Sequence, residues 1–395
     1  MSQNNVVICS PKRTALGSFL GSLASFTAPQ LGSYSIKGSL KDAQLDPGLI
    51  DEVYMGCVLT AGVGQAPARQ AALGAGLSKH VPCTTVGKVC GSGLKAVMLA
   101  DSAIKAGEIS CAIAGGMESM SNAPFLLPKV RSGLRMGPGE LVDSMIKDGL
   151  WDVYNNFHMG SATEKLNAEF KISREAQDTF AINSYKKALA SIQAGLFKPE
   201  IIAVEIASKK GTTFFADDEE PGKSDLAKIP TLKPVFSKDG SVTAANASSI
   251  NDGAASMLVC GESFAAKNKL KPLARIVSQA QFAQEPDWFT TAPATSIREA
   301  LKKAKLSTQQ IDRWEINEAF AAVAIANMGL LELDPSKVNV RGGSVALGHP
   351  IGASGARIIT TLIHTLVQEK QRYGCASLCI GGGEAVAVVV ENLCL

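Results

Sequence analysis

Cys90-Gly-Ser-Gly-Leu-Lys-Ala96 and Gly352-Ala-Ser-Gly-Ala-Arg-Ile358 are two versions of one pattern. Each opens an apolar-periodic run, through Val97, Met98 and Ile104 in the first case and Ile359, Leu362, Ile363 and Leu366 in the second. The spacing predicts a helix in both places, with a Ser-Gly pair in its first turn that lets another backbone come close. Each helix leads to a short apolar strand ending in glycines, CAIAGG at 111–116 and SLCIGGG at 377–383. The correspondence extends upstream. Ala28-Pro29 precedes a helix, and Leu45 with Ile50-Asp51 leads into the strand EVYMG. Ala292-Pro293 precedes another helix, and Leu306 with Ile311-Asp312, at the same spacing, leads into RWEIN. A repeat of this kind predicts a duplicated α/β unit, strands alternating with helices in each half.

Residues 120–245 have no counterpart in the second half. They mix glycine and proline (GLRMGPGE), a helical pattern (SREAQDTFAINSYKKALASIQAG) and a charged run (FADDEEPGKSD) expected to be exposed. The organisation is therefore an N-terminal half at 1–119 plus 246–270, an inserted loop domain at 120–245, and a C-terminal half at 271–395. An insertion of this length in an enzyme reads as a lid over the face where the halves meet, with a mere spacer as the alternative.

Composition narrows the function classes. The 395 residues carry a net charge of only +3, with the basic residues scattered. Nucleic acid and membrane surfaces both want a concentrated basic face, so neither is an expected partner. No stretch reaches the eighteen or so apolar residues of a membrane helix, and MSQNNVVICSPKRT does not read as a signal peptide. The nine cysteines, odd in number and irregularly spaced, suggest free thiols in a reducing cytoplasm. Cys375 and Cys379 have a metal-like spacing, but no second pair follows and histidines are few, so no metal is expected.

Three residues stand out as chemistry. Cys90 follows the strand-like TTVGKV at a helix start, where unpaired N–H groups and the helix dipole favour a thiolate, and Gly91 and Gly93 give a substrate access. The plain alternative is a buried structural cysteine. Of the four histidines, His80 lies in a polar loop and His364 in an apolar helix. His349, in Leu-Gly-His-Pro-Ile-Gly-Ala-Ser-Gly, is held on a glycine- and proline-framed turn, as a general base requires, although ordinary turn chemistry reads the same way. Cys379 precedes Gly381-Gly382-Gly383, whose N–H groups can converge as an oxyanion site. A buried cysteine before a tight hairpin and a phosphate loop are the alternatives. A nucleotide fingerprint is absent, which speaks against a nicotinamide oxidoreductase.

Taken together, Cys90-Gly-Ser-Gly, Asn317-Glu-Ala-Phe, Gly348-His-Pro-Ile-Gly-Ala-Ser-Gly and Cys379-Ile-Gly-Gly-Gly resemble the motif set of the thiolases. The resemblance runs through the insertion, in Asn155-Asn-Phe-His-Met-Gly160 and in the segment from Asn246, and within the family is strongest to short-chain acetyl-CoA acetyltransferases. It implies two α/β halves stacked in alternating α and β layers. It also implies reversible condensation of two acetyl-CoA to acetoacetyl-CoA plus CoA through an acyl-cysteine, with CoA as substrate and no cofactor.

By the same resemblance Cys90 is the nucleophile, His349 accepts its proton, and Cys379 is the second acid/base. Asn317 holds a water that, with His349, stabilises the enolate oxygen, while the backbone N–H groups of Cys90 and Gly381 serve the thioester oxygen. Ser248 contacts the pantetheine arm, and Leu150, His158, Met159, Ala319 and Phe320 wall the tunnel. The family's dimers and tetramers imply a homodimer or homotetramer. Relatives that bind potassium tend to carry Tyr where Pro221 stands, so the resemblance leaves a monovalent cation open.

Gly87 replaces a usual Asn and Arg341 another, which questions the hydrogen bonding of the loops beneath the site. Glu384 stands where a small residue is frequent. The competing readings are a degradative 3-ketoacyl-CoA thiolase of broader chain length and a non-catalytic acyl-CoA- or lipid-binding relative. A ketoacyl synthase is disfavoured by the cysteine at 379.

Overall fold

The structure is a computed structural model and describes residues 5–209 and 211–395; the first four residues of the N-terminal stretch discussed above lie outside the described residues. The N-terminal half builds β1 (Val6–Thr14), α1 (Ala28–Ala43), β2 (Glu52–Gly56), α2 (Pro67–Gly74), β3 (Cys83–Val86), α3 (Ser92–Ala106) and β4 (Cys111–Ser119). The insertion contributes α4 (Met159–Phe170) and α5 (Arg174–Gln193), and β5 (Asn251–Gly261) follows it. Then come β6 (Pro272–Ala283), α6 (Ala292–Ala304), β7 (Arg313–Ile316), α7 (Ala321–Leu331), the single turn α8 (Ser344–Leu347), α9 (Ile351–Glu369), β8 (Tyr373–Ile380) and β9 (Glu384–Asn392).

The duplication read from the sequence is present strand by strand. In the first half β2 pairs parallel with β4, and β4 with β5 and β5 with β1 antiparallel. In the second half β7 pairs parallel with β8, and β8 with β9 and β9 with β6 antiparallel. The repeated Ile-Asp has one physical cause in both halves. Asp51 accepts from the N–H groups of Ser110 and Cys111 at the start of β4, and Asp312 accepts from Arg372 and Tyr373 at the start of β8. Each aspartate fixes the register of a parallel pair whose crossover helix returns from far along the chain.

The halves also join through β1 and β6, where Val7 faces Arg275 and Ile8 faces Ala274, so one sheet of 11 strands runs through the molecule. The repeat did not disclose this junction. Helices α3 and α9 lie between the two halves of the sheet. Leu94, Val97 and Ile104 meet Ile359, Leu362 and Ile363 there in a common core with β4, β5, β8 and β9. α1 and α2 cover the outer face of the first half and α6 that of the second. This is the expected alternation of α and β layers. α9 is buried from Ile351 to Leu366, as a helix in a central layer must be.

The Ser-Gly pairs sit where α3 and α9 touch. A Cβ on Gly355 would fall 2.4 Å from the Leu94 nitrogen, and one on Gly93 would fall 2.8 Å from that of Ala356. The obstacle in each case is backbone, which cannot rotate away. Gly355→Ala is therefore expected to cost about 1–3 kcal/mol, a typical overpacking penalty, read as a lower urea midpoint. Gly222→Ala, with nothing within 4 Å of the added carbon, serves as the control and should leave the midpoint in place.

The charged run corrects an expectation. Asp218 is buried, not exposed, and binds Arg13 of β1 through two hydrogen bonds of 2.7 and 2.9 Å. Glu200 takes the Arg13 Nε at 2.6 Å. A fully buried guanidinium needs carboxylates at hand, and the insertion supplies both. Among the described residues no helix is long and apolar enough to cross a membrane.

Candidate active site

The turn from β3 to α3 places Cys90. Val89 has φ 42°, a left-handed conformation that a β-branched side chain rarely tolerates. Ser92 holds the turn closed: its Oγ accepts from the Lys88 N–H at 2.8 Å and donates to the Val89 carbonyl at 2.7 Å. Strain maintained by the surrounding bonds is characteristic of a side chain that must point one way.

His349 follows Gly348, whose φ of 106° suits glycine alone, and whose Cβ would strike the Asn251 side chain. Asn251 in turn accepts from the His349 N–H at 3.0 Å. The ring is fixed at both ends, Nδ1 lying 2.6 Å from Ser354 Oγ and Nε2 3.5 Å from Asn317 Nδ2. Asn317 closes β7, and its Oδ1 accepts from Ser344 Oγ at 2.5 Å. Its neighbour Glu318 is pinned by Ser184, Asn339 and the Val345 N–H. Cys379 lies in the last turn-ward residues of β8, just before the Gly381–383 hairpin.

These residues converge on a cavity of about 580 Å³. Cys90, His349, Cys379 and Gly381 all line it. Ser248, Leu150, His158, Met159, Ala319 and Phe320 line it as well, so every residue singled out from the sequence except Asn317 reaches the surface of one space. Asn317 is 1% exposed and acts on that space through His349.

The electrostatics differ from the sequence expectation. The N–H groups of Gly381 and Cys90 itself hydrogen-bond the Cys90 sulfur and favour the thiolate, but burial outweighs them and pushes the thiol up to about 12. The helix begins only at Ser92, so its field reaches the sulfur less directly than a first-turn position would give. Burial, then the nearby Cys90, likewise raises the Cys379 thiol. Burial and the Arg357 charge drive His349 down to about 3, so the imidazole is neutral at physiological pH. The resting site thus sets two thiols beside a neutral imidazole, a combination able to pass a proton between sulfur and nitrogen.

Several contributors escaped the sequence. Phe236 stacks on His158 with ring centres 4.7 Å apart and meets Phe320 edge-on. Phe289 packs with Met159, Phe320 and Cys379. Glu118 accepts from the Val58, Leu59 and Gly352 N–H groups, tying a loop of the first half to the turn after His349, and burial raises it to about 7. Lys223 lies at the cavity. Only Glu118, a lone carboxylate inside an apolar strand, left a sequence signal. Gly87 is exposed with open space around it, and Arg341 is spent on the Leu196 carbonyl and Gln368. The loop bonding beneath the site is made by Asn339, to Ile316 and Glu318.

The family profiles for the thiolase N-terminal and C-terminal domains match residues 6–263 and 270–392. The chain is 50% identical to acetyl-CoA acetyltransferase 1 of Arabidopsis thaliana, over 99% of this chain and 95% of that protein. It is 51% identical to the acetyl-CoA acetyltransferase of Cupriavidus necator, over 98% of this chain and 99% of that one. The crystal structure of the Bacillus anthracis acetyl-CoA acetyltransferase superposes with a TM-score of 0.96 at 39% identity, covering 99% of both chains. With the two domain profiles together spanning residues 6–392 apart from a short join, and the fold shared over 99% of the chain, this chain belongs to the thiolase family.

Proposed function

We propose that the chain is an acetyl-CoA C-acetyltransferase that interconverts two acetyl-CoA with acetoacetyl-CoA plus CoA. The observation that carries this reading is the meeting of two thiols, Cys90 and Cys379, with the His349 imidazole around one cavity. In the cleavage direction, Cys90 passes its proton to His349 Nε2 and attacks the keto carbon of acetoacetyl-CoA. The carbon–carbon bond breaks, and the acetyl-CoA enolate takes the Cys379 proton. CoA then gives its proton to the Cys379 thiolate and attacks the acetyl-cysteine, and Cys90 leaves and recovers its proton from His349. Condensation is the reverse. The N–H groups of Cys90 and Gly381, already directed at the sulfur, serve the oxyanion there, and Asn317 with a water and His349 serve the enolate oxygen. No cofactor enters these steps.

Residues 120–245 act as the lid, since they supply Leu150, His158, Met159 and Phe236 to the cavity. Ser248 meets the pantetheine arm, and Lys223 suits the phosphates of CoA. An assembly of two or four copies is supported by the exposed apolar side chains of Phe125, Leu127, Val130, Leu134, Met136 and Leu141. The setting is cytoplasmic, in keeping with nine free cysteines.

Short-chain selectivity follows from Met159 and Phe320, which line the same cavity as the reacting groups. Met159 and Phe320 are 8% and 7% exposed and packed against Phe289 and Val323, so they have little room to retreat. Overlap with a packed wall costs about 1–3 kcal/mol per misfit group, or roughly ten- to two-hundred-fold. The kcat/KM for acetoacetyl-CoA should therefore exceed that for 3-ketooctanoyl-CoA at least about tenfold at the same CoA and salt. Equal values would make the enzyme a broad 3-ketoacyl-CoA thiolase.

A further inference from the structure

Arg357 sits deep in α9, 1% exposed, and no step above uses it. Among the described residues its Nε and Nη1 have no hydrogen-bond partner, and the carboxylate paired with it, Glu315, lies 3.6 Å from Nη1. Its Nη2 donates to Ser344 Oγ at 3.3 Å. A guanidinium can only donate, so Ser344 accepts on that side, and its single proton goes to Asn317 Oδ1 at 2.5 Å. An amide whose oxygen is engaged presents its NH2 at the opposite end, where His349 Nε2 lies 3.5 Å away. On the far side of the ring, Ser354 Oγ gives its proton to the Pro350 carbonyl at 3.0 Å and so accepts from His349 Nδ1 at 2.6 Å. Every link is polarised in one direction, fixed at one end by the donor-only guanidinium and at the other by the acceptor-only Pro350 carbonyl.

We propose that Arg357 is a positioning residue for this reaction. Through Ser344 it fixes which way the Asn317 amide faces, so that the amide NH2 meets His349 Nε2, the nitrogen that Ser354 and Pro350 leave with the lone pair. The inference rests on the assignment of His349 and Asn317 to the chemistry. Glu315 at 3.6 Å, with Glu200 and Asp218 acting from farther off, balances the buried charge, but none of them gives the guanidinium a directed hydrogen bond; the one it makes goes to Ser344. Neither Asn nor Ser polarises such a chain by itself, because an amide and a hydroxyl each work in both senses.

The test compares Arg357→Met, Arg357→Lys, Ser344→Ala, the Met/Ala double variant and Asn317→Ala in acetoacetyl-CoA thiolysis. Arg357→Met is expected to lose about 10- to 100-fold in kcat, part of what a positioned base contributes, with KM for acetoacetyl-CoA within about twofold. Arg357→Lys, also donor-only, should recover most of the loss. Ser344→Ala should show the same kcat-specific defect, and the double variant should be no worse than the poorer single, because both cut one chain. If Arg357→Met does not accumulate as folded protein, Ser344→Ala carries the test alone. Wild-type kcat in either single variant, a loss that falls equally on KM, no rescue by Lys, or additive losses would overturn the relay. A wild-type rate in Asn317→Ala would sink the assignment of Asn317 itself.

Discussion

Cys90→Ala and Cys90→Ser are expected to lose both thiolysis and condensation, by about 10⁴-fold or more, because each removes the group proposed to carry the covalent intermediate. The serine variant is the more telling of the two. It keeps the volume, the strained Val89 turn and the N–H groups facing position 90. Its hydroxyl, however, ionises far less readily than a thiol, and the same burial that raises Cys90 to about 12 disfavours an alkoxide still more. Acetyl-CoA treatment of the wild type should leave an acetyl group on the tryptic peptide spanning residues 89–95. An adduct confined to another cysteine would displace Cys90 from the mechanism.

Cys379→Ala should separate the two half-reactions. Acetyl transfer from acetyl-CoA to Cys90 needs His349 and the N–H groups at the sulfur, all of which remain. Breaking or making the carbon–carbon bond needs the second proton carrier, so that step should slow by about 10²-fold or more. Acylation followed by mass spectrometry and acetoacetyl-CoA cleavage followed in the ultraviolet give the two rates. Near-normal cleavage would make Cys379 a packing residue. The side chain is 1% exposed, packed in a cluster that includes Met159, Phe289 and Phe320, and it borders the cavity.

The arrangement of the site explains why neither thiol needs to be ionised at rest. A thiolate beside a second, buried thiol would be costly, and a histidinium under the influence of the Arg357 charge more so. Neutral groups placed within reach avoid both costs until substrate arrives and its oxygen takes up the developing charge.

The sequence by itself determined the duplication, because the signals that encode it are local. A Ser-Gly pair marks where two helices touch, as Gly93 and Gly355 do, and Ile50-Asp51 and Ile311-Asp312 mark where a carboxylate holds the start of a parallel strand. It also singled out the residues now found around one cavity, since Cys90, His349 and Cys379 each stand at a glycine-framed turn. Other features depend on what comes to lie nearby from far along the chain. Asp218 looked solvated until Arg13, 205 positions earlier, proved to be buried beside it. Phe236 sits in a polar loop and becomes a wall only when the insertion folds over His158. The ionisation of Cys90 was read from the helix end alone, whereas the folded chain withdraws water from the sulfur and reverses the sign of the shift. Periodicity and turn chemistry act over a few residues and are written in order along the chain; desolvation, and the direction of a hydrogen-bond chain from Arg357 to His349, are sums over neighbours that exist only once the halves have closed.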